Sequence, residues 1–170
     1  MKENQDQIAL RKWIASGLSI EEVLNGYGDS NYLLNNMIAK YTLAADEYHV
    51  SQQALDKMHE LRIDPFKTHK RSSLYGKNQP FIYEHAIPVV IIREKLKQSD
   101  KEPQTIVQIL SLAGYVAILL RKEDEHINSL GFQKKMPLGW KLGDSVTARY
   151  DVANINISTT KIKMSGAIMR

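Results

Sequence analysis

Apolar side chains recur with a helical period through the first third of the chain. Residues 8–15 form a short amphipathic segment ended by Gly17. Ser19 opens the next helix with a capping box, its hydroxyl taking an orphan amide while Glu22 reaches back; Leu18 and Val23 stand at the staple positions. Gly26 and Gly28 end that helix. Asp29 or Ser30 then caps a longer one, whose buried stripe is Leu33, Leu34, Met37, Ile38, Tyr41, Ala44, Ala45 and Tyr48. Ser51 caps again, with Val50 and Leu55 as a second staple and Ala54, Leu55, Met58 and Leu61 as the stripe, until the chain breaks at Ile63-Asp64-Pro65. The pattern predicts a helical layer over residues 1–65.

Beyond Phe66 the pattern changes. Residues 66–79 read as a basic loop, and the partial alternation of 80–86 predicts a short strand. Pro88 suits the first turn of a helix running to about Lys97, because its missing amide costs nothing there. Residues 99–102 are a polar turn and 103–112 a further helix. The β-prone run 115–120 predicts a buried strand, followed by a helix over 122–130 that ends at Gly131. Met136 to Trp140 and Gly143 lie in an irregular loop, and the chain after Ser158 reads as a loosely held basic tail. The fold class expected is α+β in a single domain over 1–170: an acidic helical layer (1–65), a basic core (66–157) and a tail (158–170).

Composition narrows the chemistry. With 170 residues and no cysteine, the chain can bury a core but has no disulfide, thiolate nucleophile or thiolate zinc site. No apolar run is long enough for a membrane helix, and residues 1–7 lack the apolar core of an export signal, so no membrane partner and a cytoplasmic location are expected. The net charge of +4 conceals an asymmetry: residues 1–66 carry six Lys/Arg against ten Asp/Glu, and 67–170 carry seventeen against nine. A basic half is what a polyanion such as DNA requires. An unevenly charged solvated surface is the plainer explanation of the same numbers.

The chemistry-bearing residues cluster between 84 and 128. Glu84-His85 stands at the end of the first predicted strand with Pro88 three residues on, and Asp124 and Asn128, four residues apart, project from one face of the helix after the second strand. A neutral imidazole is a serviceable base near pH 7, and carboxylate and amide oxygens suit Mg²⁺ or Mn²⁺. The Glu-His-x-x-Pro motif and the order strand, helical insert, strand, helix resemble the HNH (ββα-metal, His-Me finger) nucleases over about residues 80–131. The resemblance implies a ββα-metal core in which His85 is the general base and Glu84, Asp124 and Asn128 hold one divalent metal. It implies a metal-dependent endonuclease cutting DNA, an activity that serves restriction, phage defence or toxins. Arg71, Lys77, Arg121, Lys122, Lys134 and Lys135 are the expected nucleic-acid contacts.

Each residue also has a plainer role. His85 suits a backbone-bonded strand end, Asp124 an acidic first turn that favours the helix dipole, and Asn128 a polar helix face. His126 is a reserve ligand, while His49, His59 and His69 read as ordinary surface residues. Trp140 and Arg149 are expected to brace the C-terminal part, and Tyr27, Tyr32, Tyr41 and Tyr48 to lie in a core or interface. Two other functions share these features. One is a non-catalytic nucleic-acid-binding protein; the other is a protein-interaction or immunity module, or a homodimer, using the acidic helices as its surface.

Overall fold

The computed structural model describes residues 7–8, 11–12, 31–76, 78–100 and 102–165. The caps and helices expected between Gly17 and Ser30, along with Tyr27 and Lys77, lie outside the described residues. The fold is α+β. In chain order it runs α1 (Asn31–Leu43), β1 (Glu47–Ser51), α2 (Gln52–Glu60), β2 (His69–Lys70), α3 (Arg71–Leu74), β3 (Phe81–His85), α4 (Val89–Gln98), α5 (Pro103–Ala113), β4 (Val116–Leu120), α6 (Arg121–Ser129), α7 (Ala148–Val152) and β5 (Ile157–Ser165).

The strands form one mixed sheet of five in the order β2-β5-β1-β4-β3. β3 and β4 pair antiparallel with Phe81 opposite Leu120 and His85 opposite Val116, as their apolar patterns predict. β4 is parallel to β1, β1 antiparallel to β5, and β5 parallel to β2. Every residue of β4 is buried, which explains its unbroken Val-Ala-Ile-Leu-Leu: both faces of a central strand must be apolar. One face packs Tyr48, Val50, Phe81, Ile118 and Ile162 against Ala54, Leu55 and Met58 of α2. The other packs Ala117 and Leu119 against Ile127 of α6, Tyr150 of α7 and Ile155. A third cluster joins α1, α4 and α5 through Ile38, Tyr41, Ile92, Leu96, Ile106 and Leu110. Among the described residues no helix is long and apolar enough to cross a membrane.

Local chemistry sets the element ends as expected in several places. Ser51 caps α2, its Oγ accepting from Ala54 N at 3.0 Å, and Pro103 opens α5. Gly131 ends the α6 segment at φ 81°, a conformation that favours glycine. Glu123, buried in the first turn of α6, accepts from Leu120 N at 2.8 Å and from Ser51 Oγ at 2.6 Å, tying that turn to the β1–α2 corner.

Three expectations are corrected. The long helix stops at Leu43, and Tyr48 belongs to β1; Tyr48 and Val50 continue the apolar stripe with the period of two that a strand requires. The acidic segment is therefore not a purely helical layer. The chain after Ser158 is not a tail: Ile157–Ser165 is β5, in the sheet between β2 and β1, with Ile162 and Met164 buried and Lys161 and Lys163 exposed between them. The loop expected at Met136–Trp140 and Gly143 is irregular, and α7 follows it before β5.

Since β5 is a core strand, Ile162→Ala should cost about 2–5 kcal/mol of unfolding free energy in a urea titration. A change within roughly 0.5 kcal/mol, normal for a solvated surface position, would return this segment to the status of a tail.

Candidate active site

α7 is only five residues long, yet it delivers the most buried cation in the described structure: Arg149, with no exposed surface. A charge so far from water must be paired and hydrogen-bonded. Arg149 Nε donates to Ala86 O at 2.9 Å, Nη1 to Phe132 O at 2.7 Å, and Nη2 to Glu84 Oε1 at 2.6 Å and to the His85 carbonyl. One guanidinium thus fastens the end of β3, the turn leaving it and the segment after α6. Nothing in the local pattern of Ala148-Arg149-Tyr150 singles it out, because its importance comes from partners about 65 residues earlier.

That clamp sets the chemistry of the two residues beside it. Burial pushes the Glu84 carboxyl above its ordinary value, Arg149 pulls it back, and the charge of Asp124 pushes it up again. The Glu84 and Asp124 charges therefore sense each other across the β3–α6 contact. Asp124 is also raised, chiefly by burial, while the Asn128 amide opposes the shift by donating to its Oδ2 at 3.1 Å. The Tyr150 hydroxyl is fully buried with no hydrogen-bond partner among the described residues, close enough to Glu84 and Asp124 for both to disfavour its ionisation.

His85 keeps partial exposure, but its Nε2 is wholly buried and unpartnered. Burial lowers the imidazole to about 4, a hydrogen bond to the Ala39 backbone works the other way, and Arg149 lowers it further. The ring is therefore neutral near pH 7, and its Nε2 has no hydrogen-bond partner among the described residues.

Glu84 and His85 line one cleft of about 470 Å³, walled by Tyr32, Asn35 and Asn36 of α1, Val89 of α4, and Lys134. Glu84 and Asp124 are brought together electrostatically, and Asn128 is hydrogen-bonded to Asp124; neither Asp124 nor Asn128 is among the residues lining that cleft. The expected nucleic-acid contacts divide. Arg71 is committed to Tyr48 Oη at 2.7 Å, Ala45 O at 2.9 Å and Ser165 O at 3.3 Å, and Arg121 to the carbonyls of Gln79 and Gly76. Both guanidinium groups, half-buried, brace other parts of the chain. Lys122, Lys134 and Lys135 are exposed.

Tyr32, expected in a core or an interface, is 71% exposed and lies outside the core. One further residue, His49, differs from expectation. His49 is a strand residue stacked on Tyr115, with ring centroids 3.6 Å apart, and burial lowers its imidazole to about 4. The pairings Lys161–His49, His49–Ala117 and Ala117–Glu84 put these residues in one row across a sheet face, an order no local spacing reveals.

Comparison with protein-family models, with curated proteins and with solved structures yields no match. The divalent cation implied by the resemblance is therefore judged on the donors present. Arg149 engages Glu84 Oε1 and Asn128 engages Asp124 Oδ2, which leaves Glu84 Oε2, Asp124 Oδ1 and the Asn128 carbonyl oxygen. Mg²⁺ keeps several waters and takes one or two carboxylates, so an oxygen set of this kind suits it. Among the described residues there is no group of three or more His, Cys, Asp and Glu that could hold a metal.

Because the folded state disfavours a charged His85, the unfolded chain binds a proton between pH 6.5 and about 4 that the folded chain does not. Stability is therefore lost as pH falls through that window, by about 2 kcal/mol on reaching pH 5. His49 acts in the same direction with less weight, being half-exposed, and the raised Glu84 and Asp124 act oppositely. Urea titrations at pH 7 and pH 5 should show the parent losing about that much more than His85→Gln. Equal losses would mean that the imidazole is not buried in its neutral form.

Proposed function

We propose that the chain is a divalent-metal-dependent endonuclease that hydrolyses phosphodiester bonds in DNA. The observation that carries the reading is the place of His85: an imidazole kept neutral by burial, at a strand end beside the Glu84 carboxylate, with both residues lining one cleft. The antiparallel β3–β4 pair with α6 packed against it supports the same reading.

In this mechanism the neutral His85 imidazole takes the proton from the attacking water. Arg149 holds both Glu84 and the His85 backbone, so base and carboxylate keep one relative position. Lys134 at the cleft wall attracts the phosphate, with Lys122 and Lys135 adding to the field. Mg²⁺ or Mn²⁺, held by Glu84, Asp124 and Asn128, would offset the charge that builds on the phosphate. Restriction, phage defence or toxicity in a cytoplasm is the setting such an activity suits, and a second copy or a protein partner would dock through the N-terminal helices.

Supercoiled plasmid incubated with Mg²⁺, with Mn²⁺ and with EDTA tests the reading. Nicking is expected with either metal and none with EDTA. His85→Ala should lower the rate about 10²–10⁴-fold while DNA affinity stays nearly unchanged, and Asp124→Ala should raise the metal concentration required. The parent's rate should stay level from roughly pH 8 to pH 6 and fall as the His85 value of about 4 is approached. Metal-independent nicking, no nicking, or a fully active His85→Ala would each overturn the proposal.

A further inference from the structure

The cleft beside Glu84 and His85 has a second wall whose chemistry the hydrolysis does not use. Three residues of α1 form it: Tyr32, Asn35 and Asn36. Both amides are oriented from behind. Arg93 Nη1 donates to Asn35 Oδ1 at 3.1 Å, and Arg93 is itself held by the Glu94 carboxylate at 2.8 Å, so Asn35 is left with its NH₂ to offer. Asn36 Nδ2 donates to Tyr32 O at 2.9 Å, which leaves its second N–H and its carbonyl oxygen. Neighbouring amides with both donors and an acceptor to offer are the complement of a heterocycle edge, which presents acceptor and donor side by side. Phosphate, all acceptor, would leave the amide oxygen unmatched, and an apolar ligand would leave both amides unpaired.

The remaining walls fit the same ligand. Pro88 and Val89 give an apolar floor, and the Tyr32 ring stands 71% exposed at the rim. An exposed aromatic face is the element on which bases stack, largely irrespective of sequence. Lys134 on the same cleft supplies the cation that a phosphate attached to such a base would meet. At about 470 Å³ the cleft falls within the range of small-ligand pockets, which are mostly apolar with a few placed polar groups.

We infer that this cleft holds one unpaired nucleobase of a single nucleic-acid strand, stacked on Tyr32 with its edge on Asn35 and Asn36. The inference rests on the nuclease reading for its choice of a strand over a free nucleotide, and it names the form of the substrate: a single strand, or a base turned out of a duplex.

Binding measured in EDTA separates the two claims, because no cleavage is then required. The probes are a fluorescently labelled oligodeoxythymidylate 12-mer, an abasic 12-mer with the same deoxyribose-phosphate backbone, the 12-mer annealed to its complement, and thymidine monophosphate as competitor. The base-bearing single strand should bind more tightly than both the abasic strand and the duplex. Tyr32→Ala should weaken binding of the base-bearing strand roughly 5- to 150-fold and leave the abasic strand unaffected, while Tyr32→Phe retains the parent affinity. Asn35→Leu combined with Asn36→Leu should weaken the base-bearing strand alone. Equal affinity for abasic and base-bearing strands, no binding of either, or Tyr32→Ala indistinguishable from the parent would overturn the pocket. A monophosphate competing as well as the strand would overturn the assignment to a strand. Base-dependent binding without plasmid nicking would sink the nuclease reading and leave the pocket standing, and nicking with base-independent binding would do the reverse.

Discussion

The structure of the candidate site depends on one buried ion pair, Arg149 with Glu84. A guanidinium withdrawn from water is strongly destabilising unless its donors are matched. Here they are matched by a carboxylate and by the carbonyls of His85, Ala86 and Phe132. Three separate stretches of chain therefore converge on a single side chain from a five-residue helix that would scarcely persist alone. Geometry follows from charge at this point: the end of β3 lies where Arg149 can be neutralised, and the segment leaving α6 closes over it.

His85 derives its state from that arrangement. Its carbonyl is on the guanidinium, and burial keeps the ring neutral over the physiological pH range. Its Nε2 is one buried polar atom without a hydrogen-bond partner among the described residues, at a cost in free energy. The Tyr150 hydroxyl is another, within the electrostatic reach of the same carboxylates. Both groups lie within the field of the Arg149–Glu84 pair, so the clamp sets the electrostatics of the candidate site as well as its geometry.

Much of the second half was legible because its signals are local. Pro88, Pro103 and Gly131 mark helix ends through the chemistry of their own backbones, and the buried run Val116–Leu120 reads directly as a central strand. Glu84, His85, Asp124 and Asn128 could be named from residue type and spacing. β1 was hidden because Tyr48 extends a helical stripe and a strand in equal measure. β5 was hidden because Lys161 and Lys163 interrupt its apolar positions, and only the pairing with β1 shows that those lysines sit on the other face. Arg149 reads from the sequence only as a brace of the C-terminal part, because its counter-ion, Glu84, is far away in sequence. The same distance explains Arg71 and Arg121, which read as free cations until the carbonyls that they hold are seen.

The most direct test of this account is a double-mutant cycle on the clamp, with Glu84→Gln, Arg149→Met and the double variant compared by urea unfolding at pH 7. If the pair organises the site, Glu84→Gln alone leaves a buried guanidinium without its counter-charge and costs about 3–5 kcal/mol. The double variant should then lose well under the sum of the two single losses, with a coupling of about 1–3 kcal/mol. Single losses that add to within roughly 0.5 kcal/mol would show two residues that do not depend on each other, and would contradict the account at its base.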